Sequence, residues 1–528
     1  MSSRFLPRTF YRVVNCSENI KGRGCPIQLS PKSLNRYQFP RAMANVSGRE
    51  RKLLTMDNLN PCVKSMEYVL SGPLVTRAAA IEKELEQGAK KPFKEVINAV
   101  TGDRQAMGQP PITFTRQVLA LVSYPELIKY SNFPDDVKER ATFLLTGCSG
   151  GSTGSYSEAS GVEIVRRRVA EFIEERDGFS SNWQDIILCA GASTGIKAVL
   201  KLLDCETSGL KTGVMVPIPH YPLFPAVIAE FNNMQQMNYY LDESNGWAIS
   251  IKELKRALND TKGTCKPRAL VVVNPGNPTG QVLTKNTIRE IINFAYEEGL
   301  FLIADEVHQQ NIYDNNSEFH SFKKVLMEMG LPYSKMELAS FMSSSKGYMG
   351  ECGMRGGYAE VINLQSGVKA MYLKSISANL CSTVLGQIAM DCVVKPPEPG
   401  GSSYKLFVRE KNSILKMLTE NAKIAVNAFN SIEGMSCNAV QGAVYAFPQI
   451  YLPSNAIETA KQKQMHPDEY YASQLLENAG ISIVPGSGFG QKDGTYHFRT
   501  TILLPSAKLK AMLQILRKFH EDFLKKQQ

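Results

Sequence analysis

From about residue 160 onward, runs of consecutive apolar residues alternate with segments whose apolar residues recur every three or four positions. The runs are "DIILCAG" (185–191), "TGVMVPIP" (212–219), "RALVVVNPG" (268–276), "LFLIADE" (300–306) and "ELASFMSSSKG" (337–347), and each reads as a strand. Between them lie helical patterns. "GVEIVRRRVAEFIEERDG" puts Val162, Val165, Val169, Phe172 and Ile173 on one face and stops at Gly178. "STGIKAVLKLLD" is a second helix, and "LTKNTIREIINFAYEEG" a third, with Ile288, Ile291, Ile292 and Ala295 in register. A strand apolar on both sides must be covered on both sides. The alternation therefore predicts an α/β fold built on a mainly parallel sheet with helices on each face.

The chain has 528 residues, too many for one simple core. The loop "KPPEPGGSSYK" (395–405) breaks the rhythm, and an α+β pattern follows it. The last helix carries Leu509, Met512, Leu513, Leu516 and Phe523 on one side. Before the alternation, "DNLNPCVKSMEYVLSGPLVTRAAAIEKELEQG" suggests an arm and a helix, and "EVINAVTGD" a strand. The expected division is 1–46 as a transit peptide or basic tail and 47–115 as an arm with part of a small domain. Residues 116–384 then form the large domain and 385–528 the C-terminal small domain.

Charge is uneven. Residues 1–47 hold eight Lys or Arg and one acid, whereas the whole chain carries only +10. Basic charge in an acid-poor terminus suits a mitochondrial address better than a nucleic-acid face. A cytoplasmic protein with an unaddressed basic tail is the alternative. Eleven scattered cysteines without a CxxC pair, and six histidines without HExxH, predict neither a metal site nor a disulfide scaffold. No apolar run is long enough for a membrane span. "GSGFGQ" and "GGSTGS" lack the strand–turn–helix setting of a nucleotide loop.

Four of the strands end in unusual polar chemistry: "AGASTG", "NPGNPTG", "DEVH" and "MSSSKG". Alone, each has an ordinary explanation, namely a helix cap, a rigid turn, a capping aspartate and a solvated lysine. Together they place polar groups at the carboxyl edge of one parallel sheet, where such folds bind ligands.

"NPGNPTG" (274–280), "ADEV" (304–307), "SSSKGYMGECGMRGGY" (343–358) and "YHFRTTILLP" (496–505) resemble the fold-type I, pyridoxal-phosphate-dependent aminotransferases of class I and II. With "PIPHYPLF" and "VPGSGFGQKDGTYHFR", the likeness is greatest to the alanine aminotransferase branch, from about residue 50 to the end. The resemblance implies a large cofactor domain with a smaller α+β domain, pyridoxal 5'-phosphate as cofactor, and a homodimer. It also implies transfer of the amino group of L-alanine to 2-oxoglutarate in two ping-pong half reactions. Small amino acids and 2-oxo acids would be the partners, with no nucleic acid and no membrane.

The resemblance assigns residues. Lys346 resembles the lysine that holds the cofactor aldehyde as a Schiff base and then moves the proton. Asp305 resembles the carboxylate that pairs with the pyridine nitrogen. Asn277 matches the partner of the ring's phenolic oxygen, and Tyr221 the aromatic that stacks on the ring. Ala192, Ser193 and Thr194 open a helix whose N–H groups suit a phosphate. Ser343, Ser345 and Arg355 complete that cup, and Tyr156 matches a tyrosine reaching the phosphate of the neighbouring subunit. Arg499 resembles the arginine that grips the substrate α-carboxylate, and Gly102 lines the substrate side. His308 departs from the pattern, which has a tyrosine donating to the phenolic oxygen. It is expected either to act as a substitute donor or to lower the rate. A related aminotransferase of other specificity and a weakly active or non-catalytic cofactor-binding homologue are the alternatives.

Overall fold

The computed structural model describes residues 52–68 and 72–527. Lys52–Asn58 belongs to a unit apart from the rest. In it the Asn58 side chain accepts from the Thr55 N–H at 2.7 Å and donates to the Leu53 carbonyl at 2.9 Å. The basic segment 1–46, expected as a transit peptide, lies outside the described residues. All that follows concerns Leu59 onward.

The short strand β1 is Ile97–Asn98. The central sheet then runs through β2 (Ile186–Cys189), β3 (Glu206–Thr207), β4 (Leu210–Ile218), β5 (Met234–Tyr240), β6 (Cys265–Val273), β7 (Phe301–Asp305), β8 (Leu338–Ser343) and β9 (Gly357–Ile362). Its order is β2-β9-β8-β7-β6-β4-β3, with β5 also on β4. The pairs β4–β5, β4–β6, β6–β7 and β7–β8 are parallel. β9 is antiparallel to both β8 and β2, so β2 points the same way as β8. The sheet is mixed and mostly parallel, as the apolar runs predict. β7 and β8 are buried along their whole length, as is the second half of β6.

Helices cover both faces. Glu163–Asp177 buries Val165, Val169 and Ile173 and ends at Gly178, whose φ of 76° is the left-handed stop that glycine adopts freely. Lys285–Glu297 starts on Thr284, whose side chain accepts from the Thr287 N–H, and buries Ile288, Ile291, Ile292 and Ala295. Each large apolar side chain so covered stabilises the sheet by about 1.5–3 kcal/mol.

The remaining strands are β10 (Met435–Ser436), β11 (Tyr445–Ala446), β12 (Gln449–Ile450), β13 (Ile481–Ser482), β14 (Val484–Pro485) and β15 (Phe498–Thr501). β11 and β14 flank β15 antiparallel, and β1 pairs in parallel with β13. The N-terminal segment therefore folds onto the C-terminal one. The strand expected over 95–103 shrinks to β1, and the rest runs as a loop towards the sheet's carboxyl edge. The final helix, Ser506–Gln527, buries Leu509, Met512, Leu513, Leu516 and Phe523. No helix among the described residues is long and apolar enough to cross a membrane.

Candidate active site

Because β2, β4, β6, β7 and β8 run in one direction, their carboxyl ends share one edge. There the chain leaves β2 for Ala192, β4 for Tyr221, β6 for Asn277 and β8 for Lys346, while β7 ends on Asp305. These ends border a cavity of about 390 Å³, closed from the other side by Thr101–Asp103, Tyr445 and Arg499. Two larger clefts lie elsewhere, but this one collects the polar strand ends.

Asp305 is buried, and its Oδ1 accepts from the Val307 N–H at 3.3 Å. Burial pushes its carboxyl up to about 6, against the pull of that N–H and of Lys346. Its neighbour Glu306 points elsewhere and accepts from the Phe322 N–H at 2.8 Å. Lys346 follows β8 in the turn after Ser345. Its ammonium lies 5.9 Å from the centre of the Tyr445 ring, and its charge acts on that ring's hydroxyl. Burial pushes the Tyr445 hydroxyl up, but Lys346 and Arg499 outweigh it and hold it below the usual phenol range.

Arg499 sits on β15, fully buried. Its Nη2 donates to the Val100 carbonyl at 2.8 Å and its Nη1 to Asn277 Oδ1 at 3.1 Å, while Nε has no partner. Its guanidinium stacks 4.0 Å over the Tyr445 ring. Gly102 faces the same ring. A Cβ there would lie 2.1 Å from the Tyr445 hydroxyl and 3.0 Å from Lys346 Nζ, so only glycine leaves the space open.

The helix Ala192–Lys201 opens on Gly191 with no side chain capping it, so the N–H groups of Ala192 and Ser193 remain free for an anion, while that of Thr194 donates to the Gly191 carbonyl at 3.2 Å. Gly191 has φ 81°, and a Cβ on it would meet Arg355 Nη2 at 2.4 Å. That close approach lets Arg355 bridge the Ala190 carbonyl (3.1 Å) and the Cys352 carbonyl (3.0 Å). Ser343 Oγ donates to the Gly356 carbonyl at 3.2 Å and accepts from the Ser345 N–H at 3.1 Å. Ser345 Oγ is buried without a partner.

Of the residues expected here, Ala192, Ser193, Tyr221, Asn277, Asp305, His308, Ser343, Ser345, Lys346, Arg355, Arg499 and Gly102 all line the cavity. Thr194 does not. It is exposed, and its hydroxyl bonds back to the Ala190 carbonyl at 3.2 Å. Tyr156 stands outside, 72% exposed.

His308 is buried beside Tyr445, ring centres 6.2 Å apart. Its tautomer is set by Asn311. Asn311 Oδ1 accepts from the Gly347 N–H at 3.0 Å, and its Nδ2 donates to the Gly347 carbonyl at 3.2 Å. His308 Nδ1 lies 3.4 Å from that same Oδ1, so Nδ1 carries the proton. Nε2, buried and without a partner, is left as an acceptor. Burial, then Lys346, holds the ring well below the usual histidine range, so it stays neutral.

Four groups here were not singled out in the sequence: Tyr445, Cys352, Asn311 and the Val100 carbonyl. "GAVYAF" gives no hint of Tyr445. Only the pairing of β11 with β15, Tyr445 against Thr501, brings it next to Arg499.

Pyridoxal phosphate fits this cavity on its own residues. Open helix N–H groups and the orphan Ser345 hydroxyl suit its phosphate. A buried carboxylate with one N–H partner suits a protonated ring nitrogen, and a lysine amine lies within the cavity for its aldehyde.

The family profile described as aminotransferase class I and II matches residues 134–516. The chain is 52% identical over 485 residues to alanine aminotransferase 1 of Homo sapiens, covering 92% of this chain and 98% of that one. It is 51% identical over 480 residues to alanine aminotransferase 2 of Xenopus laevis, covering 90% and 89%. A probable mitochondrial alanine aminotransferase of Dictyostelium discoideum is 44% identical over 90% of each chain. Among solved structures, alanine aminotransferase from Pyrococcus furiosus shares the fold with a TM-score of 0.69 at 22% identity, covering 88% of this chain and 99% of that one. The chain belongs to the class I and II aminotransferases, enzymes that work with pyridoxal 5'-phosphate.

Proposed function

We propose that the chain transfers the amino group of L-alanine to 2-oxoglutarate, giving pyruvate and L-glutamate. The observation that carries this is the placing of Lys346 and Arg499 against one ring, Tyr445, in the cavity that ends on Asp305. The names of relatives about half identical over nine-tenths of the chain supply alanine as the amino donor.

When bound, the cofactor holds the amino group and draws off the electrons left as Cα loses its proton. Arg499 binds the α-carboxylate through its planar fork, with the Val100 carbonyl and Asn277 fixing the fork's plane. Lys346 takes the proton from Cα and returns it on the other side of the exchange. Asp305 would keep the ring nitrogen protonated, Tyr221 would cover the ring, and Asn277 would pair with its phenolic oxygen. Ser343, Ser345, Arg355 and the N–H groups of Ala192 and Ser193 would hold the phosphate; the Thr194 N–H, expected to join them, donates to the Gly191 carbonyl. Gly102 leaves room for the substrate. The exposed Tyr156 serves the phosphate of a second copy, which makes the protein a homodimer. The basic N-terminus directs it to mitochondria, the place named for the Dictyostelium relative.

Incubating the purified protein with alanine and 2-oxoglutarate and assaying pyruvate tests the reaction. Absence of pyruvate, with the cofactor bound, would reject it. A slow enzyme is the second reading, favoured by one observation: His308 Nε2 is an acceptor where a donor to the phenolic oxygen is wanted.

A further inference from the structure

Three arginines among the described residues are buried: Arg104, Arg166 and Arg499. Arg166 has Glu158 at 3.6 Å and the Ile186 carbonyl at 2.9 Å. Arg499 is held ready for the substrate α-carboxylate. Arg104 is 1% exposed, and neither Nη1 nor Nη2 has a hydrogen-bond partner. A guanidinium cannot shed its proton to escape burial, and an uncompensated buried charge is strongly unfavourable. Arg104 therefore calls for an anion that the described residues do not provide.

Its place tells which anion. Arg104 lies two residues beyond Gly102 and four beyond Val100, whose carbonyl holds Arg499. Its stem packs on Gly350, where a Cβ would lie 2.8 Å from Arg104 Cδ. The groups that feel its charge are Tyr313, Cys352, Tyr445 and His308, and all but Tyr313 line the cavity. Tyr445 thus has one guanidinium stacked on its face and a second acting on it from the Gly102 loop.

We propose that Arg104 receives the distal carboxylate of the five-carbon substrates, 2-oxoglutarate and glutamate. The assignment rests on the alanine–2-oxoglutarate reading above and supplies its missing specificity element. One guanidinium lines the pocket and a second, buried in the Gly102 loop, acts on two of its lining residues, Cys352 and Tyr445; together they match a dicarboxylate. Alanine and pyruvate engage Arg499 alone and leave Arg104 unfilled.

The test uses the cofactor-loaded enzyme and Arg104→Gln. The Michaelis constants for 2-oxoglutarate and glutamate rise about 30-fold or more, while those for alanine and pyruvate stay within about threefold. Calorimetric titration with glutarate and with propionate asks the same question without turnover: glutarate binding weakens about 30-fold, and propionate binding does not. If the parent protein makes no pyruvate, the reaction assignment fails, yet the two titrations still decide on Arg104. Equal losses for dicarboxylate and monocarboxylate, or none, overturn the proposal. Should Arg104→Gln not fold, Arg104→Lys carries the test, since it keeps the charge and loses the fork. It must weaken glutarate more than propionate, and equal effects again overturn the proposal.

Discussion

Asp305 and Glu306 are neighbours in sequence and both are buried, but they end in opposite company. Near Glu306, whose own carboxyl is pushed up to about 8 by burial, the neighbouring charges are paired. Arg176 grips Asp177 with two bonds of 2.7 Å and donates to Gln309 at 2.8 Å. Lys323 is buried against Glu360, which also accepts from Ser181 at 2.6 Å. In the cavity, near Asp305, the charges are less well matched: Lys346 and Arg499 line it with Asp305, a neutral histidine and Asp103, whose carboxylate is engaged by backbone N–H groups, and the unpartnered Arg104 acts on it from the Gly102 loop. A protein keeps buried polar groups unsatisfied at a cost in stability, and such groups mark places where a ligand completes the network.

The contrast is broken most severely at Lys346. Lys346→Ala should cut turnover by about 10⁴-fold, the upper range for a group that moves protons, without lowering the thermal midpoint of the cofactor-free protein. A matching fall in midpoint would mean that the lysine is structural. Lys323→Met should do the reverse. It strands Glu360 in the core and costs about 3–5 kcal/mol in denaturant unfolding, with the turnover number unchanged. Lost turnover in the folded variant would show that the two sides are not separable.

His308→Tyr comes next. A tyrosine hydroxyl donates where His308 Nε2 only accepts. One recovered bond to a charged oxygen is worth about 1.5–3 kcal/mol, or roughly ten- to a hundredfold in turnover. Lower turnover would show the histidine to be adapted to its place. The smallest effect is in pH. Asp305 titrates near 6 in the cofactor-free cavity, so it loses its charge as pH falls through 6. Affinity of the cofactor-free protein for pyridoxal phosphate should then drop up to about tenfold between pH 6 and 5, and Asp305→Asn should remove that component. Parallel titration curves for the two proteins would place the ring nitrogen elsewhere.

Much of this was legible before the structure. Apolar runs buried on both faces have one solution, and their polar ends had to share an edge. The misses have a common cause. β5, "MQQMNYY", lies beyond β4 with two residues half-buried and two exposed, so no apolar run marks it. β9 carries Glu360 in mid-strand, which looks unsuitable for a buried position until Lys323 is seen beside it. Neither Arg104 in "TGDRQ" nor Tyr445 in "GAVYAF" stands out in the sequence. Both gain meaning only from contacts across hundreds of residues, which no local pattern encodes. The same is true of Asn311, three residues from His308, whose orientation depends on Gly347.

The bond from Arg499 to Val100 spans 399 positions. At a synthesis rate of about 5–20 residues per second, the Val100 carbonyl waits roughly 20–80 s for its partner to be made. β1 likewise has no strand to pair with until β13 exists. The substrate side of the cavity is therefore among the last parts of the chain to assemble on the ribosome. A nascent or C-terminally truncated chain would display the sheet and the open N-terminus of Ala192–Lys201 without Arg499.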